Sequence, residues 1–145
     1  CRFHCRNGRR GRQARGHGCL TRTIRLAAAA RADLVDILEH SEREFGLAAR
    51  QRYETLVATA LRDIGEAPER AGSALRPELG DGIRSWHLRL SRERARMDGV
   101  IVRRPRHLIL YSIIDDATVG VLRLLHDAME LHRHIGDNDD DFLSE

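Results

Sequence analysis

The spacing of apolar residues changes character several times along the chain, and each change predicts an element. "TRTIRLA" (21–27) alternates, with Ile24 and Leu26 on one side and Arg25 on the other, as a short strand does. "AAARADLVDILEHSEREFG" then takes up helical spacing, with Leu34, Ile37, Leu38 and Phe45 on one face and Gly46 as the stop. A second helix follows at once in "LAARQRYETLVATALRDIG". Its stripe is Tyr53, Leu56, Val57, Ala60, Leu61 and Ile64, and Gly65 ends it. So tight a break predicts an antiparallel helical hairpin.

"EAPERAGSALRPELGDG" reads as a loop. "IRSWHLRLSR" is expected to be a strand, with Trp86, Leu88 and Leu90 set against Arg84, His87 and Arg89. "HLILYSII" and "VGVLRLLH" are apolar on both faces and joined by the turn Asp115-Asp116-Ala117-Thr118, which predicts the central hairpin of a sheet. "DAMELHRHI" is a candidate short helix. The element order is β-α-α-β-β-β: an α+β fold with an antiparallel helical hairpin packed on a small, mainly antiparallel sheet.

Charge divides the chain. Residues 1–25 hold eight arginines and no acid, whereas residues 20–145 hold 19 Arg against 22 acids, a net −3. The basic pI therefore belongs to the N-terminal segment, and whole-chain basicity is no argument for nucleic-acid binding. Residues 1–19 are expected to be a basic, disordered or non-native extension, 20–135 the domain, and 136–145 a flexible acidic tail. The domain is expected to open at Leu20, with a Leu-type codon read as initiator Met. A mass determination of the native N-terminus tests this, and a product retaining Cys1 would refute it. The alternative is a genuine Arg-rich arm that touches nucleic acid or an acidic partner.

All 25 basic residues are Arg, so lysine chemistry is excluded and any basic catalyst would be His. Cys1, Cys5 and Cys19, with His4 and His17, have the wrong spacing for a structural zinc site, so no metal and no cofactor is expected. The apolar runs fall short of the ~18 residues of a membrane span, and the basic opening lacks the apolar core of a secretory signal.

Four stretches in order carry a resemblance. "IRLAAAARADLVDILEHSEREFG" contains A-x-x-D-L-x-x-I followed by an aromatic-Gly pair. "GIRSW" contains G-x-R, "PRHLILY" contains H-x-I-x-Y, and "VLRLLHDAME" contains R-x-L-H with a following Met. From about Thr23 to Ile135 the chain resembles the RelE/ParE toxin superfamily, in its ParE-like (plasmid stabilisation) branch. Two features depart from the pattern. "LSRERARMDGVIVRRP" is longer than in compact members, and alanine stands for the family proline near "AAAAR".

The resemblance implies the toxin of a type II toxin–antitoxin module, cytoplasmic and held in a hetero-oligomer with a ParD-like antitoxin. It implies DNA gyrase as the target, inhibited by binding. The alternative is a RelE-type endoribonuclease that cuts mRNA on the ribosome; a third reading is an inactive relic or interaction module.

Cleavage of RNA needs a base, an acid and cations for the phosphorane charge, and His107, Tyr111, Arg123 and His126 are the right types. Strand alternation, however, groups His126 with Leu122 and Leu124 and turns Arg123 away. Arg123 could equally pair with Asp33 or Asp36 of the first helix. Residues 82–106 hold eight Arg and two acids, a local +6. From this strip Arg84, Arg89, Arg103, Arg104 and Arg106 are the expected contacts to target or antitoxin, and the helical hairpin is expected to supply the antitoxin groove.

Overall fold

The computed structural model describes residues 21–128. The chain runs β1 (Thr23–Leu26), α1 (Ala28–Phe45), α2 (Leu47–Glu66), β2 (Ala74–Leu75), a 3-10 turn (Pro77–Leu79), β3 (Ile83–His87), a second 3-10 turn (Leu88–Ser91), β4 (His107–Asp115) and β5 (Thr118–His126). The strands form one sheet in the order β1-β5-β4-β3-β2. Every pair is antiparallel except β1–β5, which is parallel. This is the predicted α+β arrangement, with the helical hairpin on one face of the sheet.

Gly46 makes the hairpin possible. At φ 96° and ψ 170° it occupies a region that side-chain-bearing residues avoid. Its N–H donates to the Glu42 carbonyl at 2.9 Å, closing α1, and its own carbonyl accepts from Arg50 N–H at 3.1 Å, opening α2. Gly65 lies within α2 rather than after it, and a Cβ there would stand 3.1 Å from the Arg22 carbonyl. The glycine is a point of close approach, not a terminator.

The core explains why β4 and β5 read as continuous apolar runs. Ile109, Tyr111, Val119, Val121 and Leu124 pack with Trp86 against the helices. Leu108, Leu110, Leu122 and Leu125 form a second cluster with Leu79 on the other face. Each fully buried aliphatic side chain contributes roughly 1.5–3 kcal/mol.

Leu110 faces Arg123 but Tyr111 faces Val121, so Leu122 is an extra residue in β5. This bulge puts Leu122 and Leu124 on opposite faces. Simple alternation had grouped them, and it fails here.

Three further expectations are corrected. The strand foreseen over 83–92 ends at His87, and its remainder is a 3-10 turn. Arg84 registers opposite Tyr111 and Trp86 opposite Ile109, so Arg84 shares the face of Trp86 instead of opposing it. Phe45 is 73% exposed at the hairpin tip and is not part of the core stripe. The loop after α2 also contributes the two-residue β2 to the sheet edge. Of the helix foreseen over 127–135, residues 127 and 128 form a turn and the rest lies outside the described residues, as do the N-terminal extension with its cysteines and the acidic tail. Among the described residues no helix is long and apolar enough to cross a membrane.

Candidate functional site

A cleft of about 750 Å³ lies between α1, α2 and the segment 100–106 that leads into β4. Ile37 and Phe45 of α1 and Val100, Ile101 and Val102 of the segment give it apolar walls. Its polar lining is Arg52, Arg103, Arg104, Arg106 and the exposed His40, with the half-buried Tyr53, His107 and His126 at one end.

The wall made by the Arg-rich segment is held at several points. Met97 and Val100 exchange backbone bonds of 2.9 and 2.8 Å around Asp98 (φ 51°) and Gly99 (φ 80°). Thr55 of α2 donates its hydroxyl to Met97 Sδ at 3.1 Å, and Arg92 donates to the Arg103 carbonyl at 2.6 Å. Beneath, the buried Asp63 accepts from Ser91 Oγ at 2.6 Å and from Arg94 at 2.7 Å. Ser91 Oγ in turn accepts the Trp86 indole N–H at 2.9 Å. The start of the segment is thereby pinned to α2, and the Asp63 carboxylate raises the pKa of Arg94.

At the cleft's inner end Tyr53 Oη lies 2.8 Å from His107 Nδ1. The His107 and His126 rings meet edge to face, 5.3 Å apart and inclined at 83°. Burial, assisted by the neighbouring imidazoles of His126, His87 and His40, lowers His107 to about 4. Burial pushes Tyr53 up to about 12, against a backbone bond from Arg106. Near neutral pH both groups are therefore uncharged.

Asp127 closes the ends of three strands. It accepts from Arg106 at 2.9 Å and lies 2.9 Å from His87 Nε2, and its N–H donates to the Arg106 carbonyl at 2.8 Å. The Arg106 bond, then the His87 bond, brings its pKa down to about 2.

The structure divides the candidates. Arg103, Arg104, Arg106, His107 and His126 line one cleft. Arg84 instead donates to Ser73 Oγ at 2.9 Å beneath β2, and Arg89 sits exposed on the 3-10 turn after β3. Tyr111 is fully buried and bonds the Pro68 carbonyl. Arg123 is bound to Asp33 at 2.7 Å, one of the two acids foreseen for it. His107 and His126 come together, but Tyr111 and Arg123 do not join them.

Sequence reading missed Tyr53, which hid in the stripe of α2. It also missed Arg52 and His40, which look like solvated helix surface, and Asp127. The one usable signal was His126-Asp127 directly after an apolar strand, where a carboxylate can close the strand end. Among the described residues no group of three His, Cys, Asp or Glu could hold a metal.

The family model described as "ParE toxin of type II toxin-antitoxin system, parDE" matches residues 24–131. The chain belongs to the ParE toxin family. No curated protein matches this ParE-family chain significantly. Among solved structures it is similar to a chain of the chromosomal ParDE TA system from P. aeruginosa. That match is 14% identical with TM-score 0.52, over 73% of this chain and 96% of that one, and it shows a shared fold. It is also similar to a chain of the toxin–antitoxin complex RelBE2 from Mycobacterium tuberculosis. There the identity is 29% and the TM-score 0.45, over 76% of this chain and 95% of that one.

Proposed function

We propose that this chain is a toxin neutralised by a ParD-like antitoxin and that it inhibits DNA gyrase by contact, without catalysis. The observation that carries the docking half is the cleft: apolar walls edged by Arg52, Arg103 and Arg104. None of these three has an ion-pair partner among the described residues. Unpaired guanidinium groups around an apolar floor suit an acidic, amphipathic segment, which gains both apolar burial and charge-assisted bonds. The toxin would then reside in the cytoplasm within a toxin–antitoxin hetero-oligomer, as plasmid-stabilisation modules do.

Action by contact is favoured because the four cleavage candidates do not assemble as a set: His107 and His126 meet, but the other two stand elsewhere. Tyr111 is in the core and Arg123 is neutralised by Asp33. His107 is held neutral to about pH 4, so it is a weak general base. Tyr53, at about 12, gives up no proton near neutrality.

Expression without antitoxin tests both halves, followed by a supercoiling assay with purified gyrase. Growth arrest with loss of supercoiling supports the reading. Cut transcripts and arrested translation with gyrase unaffected would replace it with the RelE-type endoribonuclease. No growth effect would point to a relic.

A further inference from the structure

The inner end of the cleft holds polar groups whose bonding is incomplete. Tyr53 Oη takes a backbone bond from Arg106, which directs its own hydroxyl proton to His107 Nδ1 and leaves the His107 ring proton on Nε2. His126 Nδ1 accepts the Ala128 N–H at 3.1 Å, which places the His126 ring proton on Nε2 as well. Both rings line the cleft, and neither Nε2 has a hydrogen-bond partner among the described residues. Both N–H groups remain open to solvent in the cleft, so an incoming acceptor can take them without first breaking a bond within the protein.

We propose that His107 and His126 form a carboxylate subsite, where one Asp or Glu side chain of an acidic, amphipathic partner segment is bound by their two Nε2–H groups. This rests on the docking reading above and adds what the site selects. The two rings stand 5.3 Å apart on the same cleft, close enough for one carboxylate to contact both. Arg103 and Arg104 stand on the same rim for the segment's further acids, while Val100 and Phe45, 45% and 73% exposed, offer apolar surface to its other face.

A peptide fits better than a nucleic acid. Single strands are held by aromatic platforms on which successive bases stack. Among the described residues the only side chains with rings lining the cleft besides the imidazoles are Phe45 and the buried-end Tyr53.

The test is fluorescence anisotropy of the full chain with a labelled Leu/Glu amphipathic peptide of about sixteen residues, long enough to form a short helix. Its controls are the same peptide with Gln for every Glu, and an oligouridylate of similar length. The expected result is at least a tenfold preference for the Glu peptide. His126→Phe should remove most of that preference with little change in affinity for the Gln peptide. His126→Gln, which keeps an N–H donor, should restore part of it. Because His126 lies at the edge of the fold, neither variant depends on rebuilding the core, and circular dichroism checks that both fold. Equal affinity for the two peptides, or a preference unchanged by His126→Phe, would overturn the subsite while leaving docking intact. Binding of neither peptide would overturn both. Tighter binding of the oligouridylate would assign the cleft to RNA.

Discussion

Arg123 and Asp33 meet at the edge of β5 in a two-point bond, Nε to Oδ2 at 2.7 Å and Nη2 to Oδ1 at 2.9 Å. The same carboxylate accepts the Leu124 N–H at 3.0 Å. The register of β1 on β5 stops at Leu26 opposite Val121, so beyond the bulge Asp33 serves as the acceptor that a strand would otherwise supply. One side chain of α1 therefore completes the sheet and fixes the helix to it.

Asp33→Ala should cost about 2–4 kcal/mol, because it removes the two-point acceptor of a largely buried guanidinium and the acceptor of a backbone N–H. Urea denaturation followed by circular dichroism measures this. Adding Arg123→Met should recover part of the loss, since the buried cation is then gone. It should not recover all, because Leu124 N–H remains unsatisfied. Full recovery would show that the backbone bond contributes nothing.

This pair also shows where sequence reading reached and where it stopped. Helical spacing in α1 and the apolar density of β4 and β5 are local signals, and they gave the helices, the central hairpin and their order, and narrowed the partner of Arg123 to two acids. The bulge at Leu122 arises from the fit of β5 between β4 and β1, which no local pattern encodes. Gly65 looks like a helix stop because glycine usually is one, yet here it answers to a carbonyl more than forty positions earlier in the chain. The cleft was half legible. Arg103, Arg104 and Arg106 announced themselves by charge, but Tyr53 reaches His107 from a different element 54 residues away. Such convergence is a property of the fold alone.

His107 should make stability fall in weakly acidic solution. Its folded-state pKa of about 4 lies below the ordinary 6.5, so the unfolded chain binds the proton more readily. The stabilisation is present above pH 6.5 and is lost progressively as pH falls toward 4. Between pH 7 and pH 5 the loss should be about 2 kcal/mol. Urea midpoints at the two pH values, for the parent chain and His107→Gln, give the difference. A variant with the same pH slope as the parent would show that His107 is not the group responsible.

Two glycines should respond to alanine to different degrees. Gly65→Ala gains about 1 kcal/mol of helix propensity. Its Cβ, however, would stand 3.1 Å from the Arg22 carbonyl, and that backbone is itself fixed by the Arg22 N–H bond to Gly65 at 3.0 Å. Neither side can yield cheaply, so a net loss of about 1 kcal/mol is expected. At Gly120 the added Cβ would meet Ile114 Cδ1 at 2.8 Å, a nominally worse contact. Ile114 is 52% exposed and can turn its terminal methyl to solvent, so Gly120→Ala should stay within about 0.5 kcal/mol of neutral. Thermal melts of the two variants should rank them in this order.

The arginines of the basic strip should separate by position rather than by charge. Arg103 and Arg104 are exposed on the cleft rim without ion-pair partners among the described residues, while Arg89 is equally exposed but lies away from the cleft. Arg106 lines the cleft too, yet its guanidinium is engaged by Asp127 at 2.9 Å. In a complex purified with its antitoxin, Arg103→Ser with Arg104→Ser should raise the dissociation constant about tenfold or more and flatten its salt dependence. Arg89→Ser should leave both unchanged. Arg106→Ser should act differently again, lowering stability by releasing Asp127, with a smaller change in the salt slope. Equal effects from Arg89 and the Arg103–Arg104 pair would mean that the strip attracts the antitoxin only through its overall charge, and that the cleft does not hold it.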